Sequence, residues 1–212
     1  MSQHSVIGIY LAAGRSTRMG SDKLGLPLGP MRLGNYGLAA ALHSKLDYIL
    51  VISGEAQAGW IDDSFYEDQI FRKWSLIYCP DAQSGQSSSL RCGIRAAMAM
   101  GTEAATVLLA DQPLMTTGMI DELLDRYHKQ QLQDSIHYAA AGADGLAKPP
   151  VIFNHRMFPD LLQLQGDEGA RRLIRKDSPG ICIDFENPDL FLDVDTEKDY
   201  EFLLKKMFFW KS

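Results

Sequence analysis

The sequence has 212 residues, 46% of them hydrophobic and 23% charged, which is close to the average composition of a soluble globular protein. A chain of this length buries enough surface to fold without disulfides or a structural metal, which excludes a mini-protein scaffold. The chain has 21 Lys and Arg against 27 Asp and Glu, a net charge of −6, and its sequence contains no block of like charges. Because nucleic-acid binding relies on clustered Lys and Arg, this charge pattern excludes a general nucleic-acid binder.

Short β-branched runs alternate with longer segments of helical period, so the sequence predicts α/β architecture with a mostly parallel sheet, in one domain spanning residues 1–212. The predicted strands are Val6–Leu11, Tyr48–Ile52, Ser75–Cys79, Thr106–Ala110, Ile136–Ala140, Val151–Phe153, Ile181–Asp184 and Leu190–Val194. The predicted helices are Leu33–Ser44, Ser88–Met100, Thr117–Gln130, Gly169–Arg175 and Thr196–Phe209.

The last helix has a recognisable start. Thr196 and Asp199 have the spacing of a capping box, in which a hydroxyl and a carboxylate three residues apart satisfy free N–H groups. The apolar residues of this helix recur on one face, which predicts core packing rather than a cofactor site. They are Tyr200, Leu203, Leu204, Met207 and Phe208.

The three cysteines are widely spaced and match no metal or disulfide pattern. We therefore expect Cys79, Cys92 and Cys182 to be buried thiols in a reducing compartment. The first ten residues lack the pattern of a secretion signal, and no apolar run reaches the roughly 18 residues of a membrane span. The sequence thus predicts a soluble, cytoplasmic protein with no membrane partner.

The first loop, residues 11–23, follows the first buried strand and contains the string LAAGRSTRMG. Small residues at the carboxyl end of a strand let backbone N–H groups approach an anion. Arg15, Arg18 and Lys23 add three cations within nine residues of an acidic chain, which is typical of a site for a triphosphate. The spacing is neither that of a Walker loop nor GxGxxG, and a plain surface loop is the structural alternative.

A second segment, LLADQP, ends an apolar strand in a single carboxylate, Asp111, followed by Pro113. In an open α/β sheet this carboxylate would enter the same crevice as the first loop, where it could hold Mg²⁺ against phosphate oxygens. Alone, the pattern is more typical of a turn or a helix cap. Together with the first loop, it predicts a nucleotide site.

These two segments and the later string LDVDTEKDY resemble the MobA-like nucleotidyltransferases. Within that family the resemblance is to molybdenum cofactor cytidylyltransferases and the related purine-catabolism proteins that serve xanthine dehydrogenase. The strings GQSSSLRCG from Gly85 and GDEGAR from Gly166 also resemble family segments, so the likeness runs nearly end to end.

The resemblance implies a Rossmann-like nucleotidyltransferase fold, an NTP substrate, Mg²⁺ and release of pyrophosphate. By the same resemblance, the NTP lies along Leu11, Ala12, Ala13 and Gly14. Its phosphates are neutralised by Arg15, Arg18 and Lys23.

Asp111 is, by that resemblance, the principal Mg²⁺ ligand. A residue near the C-terminal end completes the metal site, and both Asp193 and Asp195 lie on one side of an extended segment there. The sequence does not choose between them, and Asp195 has a second reading as a cap of the last helix.

Two further segments have paired interpretations. Ser87 and Ser88, with Ser89, either cap a helix or hydrogen-bond the base or ribose. Lys148, in a Lys-Pro-Pro segment ahead of a predicted strand, departs from the Gly-x-Pro or His-Pro of relatives. Lys148 and Arg171, with Asp167 and Gly169, either line the site of a phosphorylated pterin or are solvated surface residues.

Ala13 stands where guanylyl-transferring members have Gly, and its methyl group narrows the space for a purine, so we expect CTP as the NTP. The predicted reaction transfers CMP to the phosphate of molybdopterin, with a molybdenum hydroxylase as the client. The alternatives are a guanylyl or sugar-phosphate nucleotidyltransferase, an NAD(P)H-dependent oxidoreductase, and a non-catalytic carrier of molybdenum cofactor.

Overall fold

The fold was analysed in a computed structural model, which describes residues 5–14, 22–67, 73–166, 168–174 and 178–209. In these residues a seven-stranded sheet has the order β5-β4-β1-β6-β8-β7-β9, and a two-stranded hairpin pairs β2 with β3. The strands are β1 Val6–Leu11, β2 Pro27–Leu28, β3 Met31–Arg32, β4 Ile49–Ser53, β5 Trp74–Tyr78, β6 Ala104–Leu109, β7 Tyr138–Ala143, β8 Leu146–Asn154 and β9 Gly180–Asp184. In the large sheet β8 runs antiparallel to both of its neighbours, and all other pairs are parallel.

Helices cover both faces of the sheet. They are α1 Leu33–His43, α2 Ser64–Glu67, α3 Gln86–Met100, α4 Thr117–Gln133, α5 Phe158–Leu161, α6 Arg171–Ile174 and α7 Glu197–Phe209. Alternate residues of β1 enter different cores: Tyr10 packs in the cluster with α1 and α4, and Ile9 packs in the cluster with α3. Because both faces are buried, β1 is a continuous apolar run, as parallel strands of this architecture require. The α/β architecture predicted from the sequence is confirmed.

Helix α3 lies unusually close to β1 because of a glycine. A Cβ on Gly93 would lie 2.4 Å from Cγ2 of Ile9, inside any real contact distance. The absent side chain therefore brings the helix against the strand, and the first turn of α3 reaches the end of β1.

The structure corrects two predictions in the last third of the chain, one strand and one helix. Leu190–Val194 is not a strand: a 3-10 helix occupies Pro188–Phe191, and an irregular segment follows. Pro188 favours the first turn of that helix, and the Asn187 side chain caps it by accepting a hydrogen bond from the Asp189 N–H. The predicted helix Gly169–Arg175 is reduced to the single turn of α6 among the described residues.

The Lys-Pro-Pro segment lies inside β8 rather than before it. The pairing of β8 with β7 shifts between Ala140 and Ala141, so that Pro149 and Pro150 are bypassed by the ladder. This bulge follows from the missing proline N–H groups, which cannot donate to a neighbouring strand. At its other end the β7–β8 hairpin closes on Asp144 and Gly145, both with positive φ (54° and 72°), as in a two-residue turn of type I′.

The predicted capping box is confirmed. The Asp199 carboxylate accepts hydrogen bonds from the backbone N–H and the hydroxyl of Thr196, each at 2.7 Å, and the Asp199 N–H donates to the Thr196 hydroxyl. Leu203 is fully buried in the core, and Tyr200, Leu204 and Met207 pack against it. The side chain of Phe208 lies outside the described residues.

The cysteines are free thiols, but they are not all buried: Cys79 is buried, Cys92 is half-buried and Cys182 is exposed. The prediction is wrong for Cys182 because β9 is an edge strand with solvent on its outer side. Within the residues that the structure describes, no helix combines the length and the apolar character that a membrane crossing requires.

Candidate active site

Three segments meet at the carboxyl ends of the two central strands. Leu11 at the end of β1 pairs with Leu109 at the end of β6, so the first loop and Asp111 leave the sheet side by side. The Ala110 N–H donates to the Leu11 carbonyl at 3.1 Å, and the Val194 N–H donates to the Asp111 carbonyl at 2.9 Å. These bonds hold Asp111 between the first loop and residues 193–195, at the edge where open α/β sheets bind their ligands.

Lys23 lies between two carboxylates. It begins a 3-10 helix, Lys23–Gly25, which Asp22 caps by accepting a hydrogen bond from the Leu24 N–H. Its Nζ is 2.7 Å from Oδ2 of Asp111 and 2.8 Å from Oδ1 of Asp195. We call these three residues the Lys23 cluster. The sequence predicted the members of this cluster, and the structure brings them together.

The charge of Lys23 is maintained despite burial, with only 8% of its side chain exposed. Burial favours the neutral amine and lowers its pKa, but Asp111 and Asp195 raise it by more, and the net pKa lies above the ordinary value. An ammonium is therefore present at neutral pH, beside two carboxylates whose side chains remain 25% and 47% exposed.

Asp111 and Asp195 form a donor set that fits a divalent cation. Their two bonded oxygens can lie no more than 5.5 Å apart, because each is within 2.8 Å of the same Nζ. In the described part of the chain, no group of three or more His, Cys, Asp or Glu side chains is arranged to hold a metal. Mg²⁺ commonly binds through one or two carboxylates together with substrate phosphates, and this pair suits that mode.

Asp193 has a different partner. Its Oδ1 accepts a hydrogen bond from Nε2 of Gln112 at 2.9 Å. Desolvation raises the pKa of Asp193 above its ordinary value, and this outweighs the lowering by the Gln112 bond. The Asp195 carboxylate accepts from Lys23, while Thr196 and Asp199 form the helix cap, to which Asp195 contributes only its backbone N–H.

The start of the first loop passes from β1 towards β4. The Ala12 N–H donates to the carbonyl of Ile52 at 2.9 Å, and a Cβ on Gly54 would lie 3.8 Å from that of Ala13. Ala12 is buried, Leu11 and Ala13 are half-buried, and Gly14 is exposed. Arg15 and Arg18 lie outside the described residues.

Ser87 and Ser88 are buried in the first turn of α3, and neither caps it. Gly85 holds the N-cap position, and both hydroxyls accept hydrogen bonds from Arg91, at 3.0 Å and 2.9 Å. Arg91 also donates to the carbonyl of Leu164. Sequence reasoning missed this arginine, although its spacing of three and four residues from the serines puts it on their face of the helix.

A cavity of about 320 Å³ lies on the β6 and β8 side of the Lys23 cluster. We call it the β8 cavity. It is lined by Leu11, Gln86, Leu90, Val107, Leu109, Gln112, Ala147, Lys148, Pro149, Val151, Gly169, Ala170, Ile174 and Asp193. A larger cavity of about 720 Å³, beside the edge strand β5, contains none of the predicted site residues.

Of the two residues predicted to bind the acceptor, the structure describes the side chain of Lys148 but not that of Arg171. Lys148 lines the β8 cavity, and its Nζ lies 5.3 Å from the ring centre of Phe191, a cation–π distance. Arg171 begins α6 beside the cavity residue Ala170, but its side chain is outside the described part of the chain, as is Asp167.

The chain is similar to known proteins in sequence and in fold. The chain is 34% identical over 206 residues to the purine catabolism protein PucB of Bacillus subtilis, covering 95% of this chain and 97% of that protein. Among solved structures, the Rv0371c homologue of Mycobacterium sp. strain JC1 is 27% identical, with a TM-score of 0.73 over 97% of this chain and 98% of its own. A nucleotidyl transferase of Methanothermobacter thermautotrophicus is 16% identical and has the same fold, with a TM-score of 0.77 over 97% and 99%. Residues 8–180 match the MobA-like NTP transferase domain, and the chain therefore belongs to that family of nucleotidyltransferases.

Proposed function

We propose that the protein transfers CMP from CTP to the phosphate of molybdopterin or molybdenum cofactor, releasing pyrophosphate, for the maturation of a molybdenum hydroxylase. The observation that carries the proposal is the Lys23 cluster, in which a buried ammonium and two carboxylates converge at the carboxyl ends of β1 and β6. The similarity to a purine catabolism protein supports a client that oxidises purines.

In the proposed reaction, an oxygen of the acceptor phosphate forms a bond to the α-phosphorus of CTP. The bond from that phosphorus to the oxygen bridging to the β-phosphate breaks, and pyrophosphate leaves with the electron pair. The protein positions both substrates in line and stabilises the negative charge that spreads over the phosphate oxygens. No covalent intermediate is required.

Lys23 stabilises that charge directly. Its ammonium persists at neutral pH and is held at the site by Asp111 and Asp195, where it can stabilise the negative charge that develops on the phosphate oxygens. Asp111 and Asp195 would hold Mg²⁺, which supplies Lewis-acid neutralisation of the phosphates when bound.

The choice of substrates rests on two positions. The methyl group of Ala13 narrows the space for the base of the NTP, which favours cytosine over guanine. One methyl group contributes about 1–3 kcal/mol to this selectivity. Lys148 brings a cation to the β8 cavity on the opposite side of the cluster, where the acceptor phosphate would enter. The two substrates would thus approach the Lys23 cluster from the β4 and β8 sides.

The test is transfer of labelled CMP from α-labelled CTP to molybdopterin, with GTP in a parallel reaction. We expect CTP to be preferred and Lys23→Met to slow transfer at least about 100-fold, because it removes charge stabilisation in the transition state. Lys45→Met is the matched control, since Lys45 pairs with Asp125 at the surface far from the cluster and its loss should leave the rate unchanged.

Other outcomes would contradict the proposal. Normal transfer by Lys23→Met would remove its proposed role, and a preference for GTP would overturn the assignment of CTP. Asp111→Asn separates enzyme from carrier: an enzyme loses most of its rate, whereas a carrier of molybdenum cofactor keeps its binding and supports the client as before. Binding of NADPH in place of CTP would indicate the oxidoreductase alternative.

A further inference from the structure

The β8 cavity combines apolar walls with four polar side chains. Leu11, Leu90 and Val107 contribute to the walls, from β1, α3 and β6. The polar side chains that line it are Gln86, Gln112, Lys148 and Asp193. Such walls suit the faces of a flat ring, while a few polar groups fix its orientation.

Gln112 is almost fully buried, with 2% of its surface exposed. Its Nε2 donates to Oδ1 of Asp193 at 2.9 Å. An ionised carboxylate can only accept hydrogen bonds, so the NH₂ group of Gln112 must face Asp193 and its Oε1 must face away. In the described part of the structure, this Oε1 has no hydrogen-bond partner.

The unpaired Oε1 differs from two other buried atoms without a partner, the hydroxyls of Ser5 and Thr106. A hydroxyl can rotate and can both donate and accept, whereas an amide oxygen held by its NH₂ group can only accept. Neither hydroxyl lines the β8 cavity. Since an unsatisfied buried acceptor is costly, Oε1 of Gln112 is the atom whose missing partner a ligand of this cavity would supply.

We propose that Gln112 is a specificity-determining residue for the acceptor substrate, and that Asp193 is its positioning residue. Oε1 accepts a hydrogen bond from a ring N–H or amino group of a flat heterocycle. This inference rests on the proposed function, in which the acceptor enters the β8 cavity.

Lys148 complements this assignment with a cation. Its ammonium lies over the ring of Phe191 and makes no ion pair among the described residues. The cavity therefore offers the unpaired Oε1 of Gln112, the Lys148 cation and apolar walls, with Gln86 and Asp193 as further polar side chains. This combination matches an N–H-bearing heterocycle with an anionic arm better than it matches a sugar phosphate, which lacks flat apolar faces.

The test measures binding of free pterin, 2-amino-4-oxopteridine, from its fluorescence, with Mg²⁺-CTP binding measured by calorimetry on the same samples. We expect Gln112→Met to raise the Kd for pterin about 5- to 10-fold and to leave the Kd for CTP unchanged, as for the loss of one hydrogen bond. Thr106→Val is the matched control, because it removes a different buried polar atom without a partner, the Thr106 hydroxyl in β6. Thr106 does not line the β8 cavity, so this variant should leave both Kd values unchanged.

The positioning role of Asp193 has its own readout. In Asp193→Asn, the new amide can donate as well as accept, so Gln112 is no longer held in one orientation. We expect a rise of about 3-fold in the Kd for pterin, and no further rise when Asp193→Asn is added to Gln112→Met. Additive effects of the two substitutions would refute the positioning role. If Gln112→Met does not fold, Asp193→Asn alone decides whether orientation of Gln112 controls pterin binding.

The outcomes separate this inference from the proposed function. Gln112-dependent pterin binding without CMP transfer would leave the inference standing and overturn the transferase assignment. CMP transfer with pterin binding that ignores Gln112 would overturn the inference alone. Absence of pterin binding by the wild type, or binding of glucose 1-phosphate instead, would also overturn it.

Discussion

Replacing Lys23 by Met tests the Lys23 cluster through stability, independently of any reaction. The substitution keeps the apolar stem but removes the ammonium that lies between Asp111 and Asp195, two like charges whose bonded oxygens are at most 5.5 Å apart. At that distance the repulsion is about 0.8 kcal/mol in bulk water and about 3 kcal/mol at an effective dielectric constant of about 20. Because both carboxylates are partly exposed, we expect a loss of about 1–2 kcal/mol.

For a chain of this size, that loss lowers the Tm by roughly 2–8 °C, which thermal unfolding followed by circular dichroism resolves. Added Mg²⁺ or about 1 M NaCl should recover part of the loss in Lys23→Met, since either one reduces repulsion between the carboxylates. The surface variant Lys45→Met should show no change in Tm. An unchanged Tm in Lys23→Met, in low salt and without Mg²⁺, would refute the geometry of the cluster.

The pH dependence has a definite sign. The pKa of Lys23 is raised in the folded state, so its charge stabilises the fold fully below its unfolded pKa of about 10.4. This contribution is lost as the pH rises through the folded pKa. The difference in Tm between the wild type and Lys23→Met should therefore be constant at neutral pH and shrink above about pH 10.4. A difference that disappears near pH 7 would contradict the assignment to Lys23.

Two further substitutions test the elements that support the site. Arg91→Met removes the hydrogen-bond donors to Ser87, Ser88 and the Leu164 carbonyl. We expect it to lower the free energy of unfolding in urea by about 1–3 kcal/mol and to speed amide exchange at the start of α3. Unchanged stability and exchange would show that the serines are held without Arg91. Thr196→Ala breaks the capping box and should cost about 1 kcal/mol by the same measurement, with unchanged stability as the contrary result.

The parts of the fold that could be predicted from the sequence carry local patterns. Three such patterns lie in the structure where the sequence predicts them. They are the apolar run of β1, the Asp111 carboxylate just after β6, and the capping box at Thr196. The prediction of a strand at Leu190–Val194 was wrong because its mostly apolar run is typical of a strand, while the neighbouring Pro188 and the Asn187 cap favour a helical turn. Local competition of this kind is decided by a few hydrogen bonds that hydrophobicity alone does not record.

The residues near the candidate site that sequence reasoning missed, Arg91 and Gln112, depend on partners distant in sequence. Arg91 bonds a carbonyl 73 residues away, and Gln112 bonds a carboxylate 81 residues away. A neutral amide has no charge pattern that would distinguish it in a sequence, and its importance here comes from burial and from the atom left unpaired. That Asp195 bonds Lys23 while Asp193 bonds Gln112 likewise depends on long-range contacts, which only the folded chain provides.

The two-residue turn at Asp144 and Gly145 belongs to only one side of the candidate site. It closes the β7–β8 hairpin, and Ala147 and Lys148 of β8 line the β8 cavity. The start of the first loop, by contrast, follows β1 and is hydrogen-bonded to β4 through Ala12 and Ile52. A hairpin can lengthen or shorten by a residue pair at its tip without shifting the register behind it. A change of length at this tip would therefore alter the β8 side of the candidate site and leave the Lys23 cluster in place.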